Sequence, residues 1–408
     1  MKRNNNTASS GQAHLASSGQ AHSASSGKVH SASSGKVHSA SSGQAVIGWD
    51  IGGANIKAVY LGPEGMRVIQ LPFPIWEARN DLEKVLAEIL RSIGRNGQEV
   101  GFAYAGVTIT AELSDAFRSK REGIHFVLDS LQAVLPENIS LHVFGSDGRF
   151  HDPQTARDYP LLVAAANWMA TATLVARHYE NCVLVDIGST TTDVIPIAGG
   201  QVVARGRDDP SRLIHGELLY TGVQRTNICA IVQRVPLWGY WCPVSAEYFA
   251  TIQDVYLLLG EVAPEACSSP TADGRPATAP FAAERLARVV CADAEMLSAD
   301  EIEAMARYIA VQHSSQIAGA IAQVRARNDI SGPLIASGAG AFLVWSAAEQ
   351  LGVPCQSLHE ALSQHAAAEE EAAPASEAAP GSEASIAAPA YAVAILLSED
   401  ASCGSETV

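Results

Sequence analysis

Two copies of one short pattern, more than 100 residues apart, constrain this chain more than any other feature. Residues 183–197 read VLVDIGSTTTDVIPI, and residues 46–60 read VIGWDIGGANIKAVY. Each copy has an apolar run, an Asp-Ile-Gly, a few small or polar residues and a second apolar run. That is the pattern of a buried strand, a tight turn and a returning strand. The later turn offers Asp186, Gly188, Ser189, Thr190, Thr191, Thr192 and Asp193; the earlier one offers Asp50, Gly52, Gly53, Ala54 and Asn55. Hairpin turns favour such residues for local reasons alone. The same turns also aim backbone N–H groups and hydroxyls at one point, which suits a phosphate. A carboxylate at the strand end, such as Asp186, would repel a bare phosphate and suits a hydrated Mg²⁺. The second copy favours the phosphate reading: two such hairpins imply two similar lobes facing one site.

A chain of 408 residues has room for two domains, and a hydrophobic fraction of 47% can fill their cores. The net charge is −16, and residues 366–408 hold eight acidic and no basic side chains. There is no basic footprint, so nucleic acid is not an expected partner; small-molecule substrates are. No apolar run reaches membrane-spanning length, and the N-terminal MKRNNNTASS has no apolar run after its charges, so neither a membrane span nor a secretory signal is expected. The seven cysteines are scattered without a CxxC pair, which suits free thiols in a reducing cytoplasm.

Residues 8–46 repeat an eight-residue unit, ASSGQAHS or ASSGKVHS, which has too little apolar surface to build a core. Residues 1–45 are therefore expected to form a flexible tail. Its histidines, His14, His22, His30 and His38, read as part of a linker rather than a metal tract, because their spacing fixes no coordination geometry. The first lobe is placed at 46–180 and the second at 181–365. An Ala/Glu/Pro-rich linker, 366–385, is expected to be disordered, with an apolar helix at 386–397 returning to the fold and a loose end after it. Amphipathic patterns predict helices at 81–95, 130–135, 164–179, 249–258, 282–290, 300–327 and 342–351. Strands are predicted within 101–113 and at 139–144 and 202–205. Charged stretches at 112–122 (Glu112, Asp115, Arg118, Lys120, Glu122) and 207–215 read as loops. The first of these follows a strand end, where α/β sheets place ligands.

The paired hairpins resemble the two phosphate loops of the sugar-kinase, actin and Hsp70 superfamily. Residues 334–344, LIASGAGAFLV, are similar to its glycine-rich adenosine-side turn. The resemblance implies an α/β, two-lobed, ribonuclease H-like fold with a phosphate-binding cleft between the lobes. A closer resemblance is to the hydantoinase/oxoprolinase-related proteins of tetrahydromethanopterin-linked one-carbon metabolism, and among them to those that form an ether in methylofuran biosynthesis. DIGGANIKAV, ELSDAFRSKREGI, GSDGRF, AANWMATA, DIGSTTTDVIPI, YTGVQRT, TADGRPAT and ASGAGAFL carry it. The family pattern has Thr-Pro after the arginine of YTGVQRT, where this chain has Thr226-Asn227.

For that group the implied reaction is the loss of diphosphate from an aminomethyl-furanmethyl diphosphate, with the carbon taken by a phenolic oxygen of a tyramine- or tyrosine-like acceptor. The resemblance then implies that Asp50 and Asp186 orient Mg²⁺, and that Gly52, Gly53, Asn55, Gly188, Ser189, Thr190 and Thr191 cradle the diphosphate. Gly338 and Gly340 form the third turn. Lys57 or Arg225 neutralises the leaving group, although Lys57 also reads as an outward residue of an alternating strand and Arg225 as a surface arginine. Glu112 or Asp115 receives the phenol proton or holds the substrate amine. Three other readings stay open: an ATP-dependent small-molecule kinase using a carboxylate base, an ATP-dependent ring hydrolase, and a non-catalytic nucleotide sensor. ATP is expected only under these.

Overall fold

The computed structural model describes residues 29–30, 45–63, 65–93, 101–369 and 387–404. Its strands are β1 (Val29–His30), β2 (Val46–Gly52), β3 (Asn55–Gly62), β4 (Gly65–Pro72), β5 (Tyr104–Thr110), β6 (Ser140–Phe144), β7 (Phe150–His151), β8 (Asn181–Ile187), β9 (Thr192–Ala198), β10 (Gln201–Val202), β11 (Leu218–Leu219), β12 (Arg234–Leu237), β13 (Tyr240–Pro243), β14 (Leu334–Ser337) and β15 (Cys355–Ser357). Its helices are α1 (Ile75–Ala78), α2 (Leu82–Ile93), α3 (Lys120–Val134), α4 (Pro153–Asp158), α5 (Pro160–Val163), α6 (Asn167–Ala176), α7 (Asp209–His215), α8 (Ile228–Ile231), α9 (Ile252–Leu258), α10 (Ala279–Arg288), α11 (Ala299–Asn328), α12 (Ala341–Leu351), α13 (Leu358–Glu369) and α14 (Ala388–Gly404).

The two lobes repeat one topology. The first sheet runs β4-β3-β2-β5-β6 and the second β10-β9-β8-β14-β15. In both, the first three strands in sequence form an antiparallel meander, and the last two lie parallel to the first. This duplicated order is the two-lobed fold expected from the paired hairpins.

Alternation along the strands assigns each sheet two faces. Outward-facing Ile47, Trp49 and Ile51 share a core with α2 and α3. In the second sheet Val183, Val185 and Ile187 share one with α9, α10, α11 and α12. The inward residues, Val46 from one sheet and Cys182 and Leu184 from the other, meet in a third core built on α6 and α14. The returning C-terminal helix is thus part of the layer between the lobes. It comes close because Gly48 has no side chain: a Cβ there would stand 2.2 Å from Ala390 O and 2.6 Å from Ala394 N.

Several expectations are corrected. The charged stretch after β5 becomes helix at Lys120, ten residues before the expected helix start, because Ser119 caps the Glu122 N–H. The 207–215 stretch is helix α7 rather than a loop; an Asp208/Ser211 capping box and Pro210 start it, and Gly216 at φ 67° ends it. The helix at 164–179 begins only at Asn167, and the strand at 202–205 is the short β10. The C-terminal helix runs on to Gly404, through most of the expected loose end. Val29–His30 pairs antiparallel with β4; apart from Ala45, the rest of the expected repeat tail and most of the 366–385 linker lie outside the described residues.

Candidate active site

The alternation that places Val46 and Gly48 on the inner face places Asp50 there as well, beyond the end of the α6/α14 layer. Its ladder partners are Lys57 on β3 and Thr108 on β5. In the second lobe Cys182 and Leu184 lead to Asp186, with Asp193 on β9 and Ser337 on β14 as partners. The two triplets face one another. Lys57 Nζ lies 3.8 Å from Asp50 Oδ2, and Asp50 Oδ1 is buried without a hydrogen-bond partner. Burial raises the Asp50 pKa, and Lys57 works against that rise. Burial also pushes Asp186 up to about 6, reinforced by the neighbouring charges of Asp193 and Asp50 and opposed by Lys57. The influence of Asp50 and Lys57 on Asp186 spans the two lobes. Lys57 therefore points into the cleft, not outward.

These groups fit a divalent cation. A buried carboxylate with an unpartnered oxygen, Asp50, and a half-buried one, Asp186, approach from opposite lobes with Lys57 as the nearby positive charge. Among the described residues no group of three or more His, Cys, Asp or Glu converges on one point. Water and substrate oxygens would have to complete the shell.

The turns are fixed by backbone contacts. The first is held by Ile75 N–H donating to Gly53 O at 2.9 Å and Phe73 N–H to Ala54 O at 2.8 Å. In the second, Gly188 N–H bonds Thr191 O at 2.9 Å, and Gln224 and Arg225 N–H both bond Ser189 O. The N–H groups of Gly53, Ala54, Ser189, Thr190 and Thr191 donate to no acceptor among the described residues. Free N–H groups on both sides of a cleft are what an anion needs. The third turn is seated on the second. Gly340 N–H bonds Ile187 O at 2.8 Å, and Gly338, at φ 82°, would place a Cβ 2.3 Å from Asp186 Oδ1.

The YTGVQRT segment packs on the same turn, since a Cβ on Gly222 would stand 2.5 Å from Gly188 O and 2.6 Å from Thr190 N. A buried chain supports it from behind: Thr192 Oγ1 donates to Thr221 O at 2.7 Å, Thr221 Oγ1 meets His313 Nε2 at 2.9 Å, and Tyr256 OH meets His313 Nδ1 at 2.7 Å. Burial holds the His313 pKa down at about 4 and so keeps the ring neutral. Asn227, where the family pattern has proline, sits at φ −66° and caps α8 through Cys229 N–H. The backbone angle proline would impose is thus kept.

A second charged group lies at the end of β5. Glu112 is 1% exposed, and neither carboxylate oxygen has a hydrogen-bond partner. Lys120 Nζ lies 3.4 Å from it and donates to Asp209 Oδ2 at 2.8 Å. Burial pushes Glu112 up to about 7; Lys120 opposes this and Asp209 adds to it. Asp115 is exposed and has no partner among the described residues. Of the two candidate bases, only Glu112 is in the charged cluster. Arg225 is exposed too, and its guanidinium stacks over Trp76 of the first lobe, 5.7 Å from the ring centroid.

Sequence reading missed Arg212, Asp209 and His313. Arg212 is 1% exposed, bonds Asp193 at 2.8 Å and stacks over Trp168 at 4.0 Å. Its signal was the capping box of α7, with Arg212 in the turn that follows. His313 interrupts the apolar stripe of α11.

The Hydantoinase/oxoprolinase family model matches residues 104–369. A (4-{4-[2-(gamma-L-glutamylamino)ethyl]phenoxymethyl}furan-2-yl)methanamine synthase from Methanocaldococcus jannaschii is 34% identical over 258 residues, 63% of this chain and 74% of that one. A protein of the same name from Methanococcus vannielii is 40% identical over 122 residues, 30% of this chain and 54% of that one. The chain thus spans about half the length of the second relative. Among solved structures, a ROK hexokinase from Thermus thermophilus is 15% identical with a TM-score of 0.38, over 87% of this chain and 99% of its own. A nucleotide-free acetone carboxylase is 11% identical with a TM-score of 0.43, over 74% and 66%.

Proposed function

The chain belongs to the hydantoinase/oxoprolinase family, and from that premise we propose that it is a transferase that joins a furanmethyl carbon to a phenolic oxygen. Undoing the ether bond in the name of its relative gives an aminomethyl-furanmethyl group and a phenol of the glutamyl-tyramine type; diphosphate is the leaving group we propose on the furanmethyl carbon. The observation that supports this reading best is the 34% identity to that synthase across 74% of its length. The cleft agrees with the chemistry. The bond from carbon to the diphosphate oxygen breaks, and its electron pair leaves with diphosphate. The carbon–oxygen ether bond forms, and the phenol proton leaves.

The free N–H groups of Gly53, Ala54, Ser189, Thr190 and Thr191 receive the diphosphate oxygens. Lys57 adds the positive charge on the cleft floor. Asp50 and Asp186 would hold Mg²⁺, which when bound offsets the charge of the leaving group. Glu112 accepts the phenol proton: with a pKa of about 7, near the operating pH, it is a far stronger base than an ordinary carboxylate. Lys120 lies within reach of the same proton path and favours a phenolate over a phenol. We place this reaction in methylofuran-type cofactor synthesis within tetrahydromethanopterin-linked one-carbon metabolism, in the cytoplasm. The six cysteines with described side chains are free thiols, and no described helix is long and apolar enough to cross a membrane.

The test is to supply the furanmethyl diphosphate and γ-glutamyl-tyramine with Mg²⁺ and no ATP. The expected result is ether and diphosphate in equal amounts. If no ether forms but ATP is split in the presence of a small hydroxyl compound, the kinase reading takes its place.

A further inference from the structure

We infer that Trp76 is the aromatic face that receives the furan of the substrate, and that Arg225 covers this face until the substrate displaces it. The inference rests on the ether-forming reading. Each residue is tied to one phosphate turn. Trp76 follows Ile75, whose N–H bonds Gly53 O at 2.9 Å in the first turn. Arg225 donates its own N–H to Ser189 O at 3.1 Å in the second. Their side chains meet between the lobes, with the guanidinium 5.7 Å from the indole centroid. The contact therefore lies beside both halves of the diphosphate cradle.

Trp76 is 40% exposed, and its Nε1–H is already satisfied by Glu77 at 3.2 Å. What remains for a ligand is the flat face, which now holds a cation. An exposed cation–π contact of this kind is weak and exchangeable. The furan substrate is flat, carries an ammonium, and develops positive charge on its ring-bound carbon as diphosphate leaves. A face that accepts guanidinium suits all three properties. The displaced Arg225 stays tethered at Ser189, beside the diphosphate.

Three proteins decide the matter: wild type, Trp76→Leu and Trp76→Phe, each assayed for kcat and KM of both substrates and for the thermal shift caused by inorganic diphosphate with Mg²⁺. Trp76→Leu is expected to lower kcat/KM for the furanmethyl diphosphate at least tenfold. The KM of the phenol and the shift with inorganic diphosphate should stay at wild-type values, and Trp76→Phe should restore most of the loss. If the wild type turns over but Trp76→Leu equals it, the inference is overturned while the ether-forming reading stands. If Trp76→Leu loses the inorganic-diphosphate shift as well, the ring merely props the first turn, and the inference again fails. A wild type that forms no ether overturns both.

Discussion

Lys120 of the first lobe donates to Asp209 of the second at 2.8 Å, while the same ammonium lies 3.4 Å from the buried Glu112. One positive charge is thus shared between two carboxylates. Asp209 raises the proton affinity of Glu112 both by its own charge and by drawing Lys120 away. Asp209→Asn should therefore lower the Glu112 pKa. The acid limb of the kcat/KM profile, which reports the base in the free enzyme, should move to lower pH. A limb that stays in place or moves up would remove Glu112 from the role of base.

Glu112 should also trade stability for function. Its folded pKa is about 7, against an ordinary 4.5. Between those values the folded chain keeps a proton that the unfolded chain has lost, so the group costs stability as pH rises through that window. Glu112→Gln removes the cost. At about 1.4 kcal/mol per pKa unit, the variant should be more stable by on the order of 3 kcal/mol near pH 8 and by almost nothing near pH 4. Its turnover should fall by a factor of about 10² or more, the usual contribution of general base catalysis. Denaturation midpoints at the two pH values, each relative to wild type, check the sign.

Much of this was readable in the chain. Both hairpins, the third glycine turn and the returning C-terminal helix follow from apolar patterning and turn chemistry, which are local. For Lys57 the sequence leaves an inward and an outward reading open for a physical reason: both faces of β3 are buried, with Ile56 and Ala58 on one and Val59 and Leu61 on the other. Alternation alone then cannot tell the cleft side from the outer side. Helix α7 has the sequence of a charged loop because its seven residues are too few to show a period, and only the Asp208/Ser211 capping box marks its start. The Lys120–Asp209 pair joins residues 89 positions apart in different lobes, and no local pattern encodes such a contact. Glu112 and Asp115 both follow β5, and only their burial separates them.

Burial raises the pKa of both Asp186 and Asp50, and for Asp186 the neighbouring charges of Asp193 and Asp50 add to the rise. Asp186→Asn should remove the cost of burying that charge. The apo protein should become more stable at pH 8 and change little at pH 4, where the wild-type group is largely protonated. The same change removes a cation ligand, so the rise in melting temperature that wild type shows with Mg²⁺ plus inorganic diphosphate should vanish. Turnover should drop at least a hundredfold. In wild type, EDTA should abolish the same shift. A variant that keeps both the shift and the activity would exclude Asp186 from cation binding.

Gly53 and Gly222 look alike in sequence, each a glycine in a turn at the phosphate site, yet the structure asks different things of them. A Cβ on Gly53 meets nothing within 4 Å. Gly53→Ala should fold with a stability within about 0.5 kcal/mol of wild type, and any loss should appear as a higher KM for the diphosphate substrate, because the added methyl faces the ligand's space. A Cβ on Gly222 would press into the backbone of Gly188, Ser189 and Thr190 at 2.5–2.7 Å. Those atoms cannot rotate away as a side chain tip can, and Thr221, pinned by His313 and by Thr192, keeps the segment from backing off. Gly222→Ala should therefore cost about 1–3 kcal/mol, the usual range for overpacking. It should also displace the second turn enough to lose the inorganic-diphosphate shift at pH 8. Chemical denaturation and diphosphate binding, measured on both variants side by side, separate a ligand-facing glycine from one that lets two backbones touch. Equal behaviour of the two variants would mean that the second turn is not held by the segment behind it.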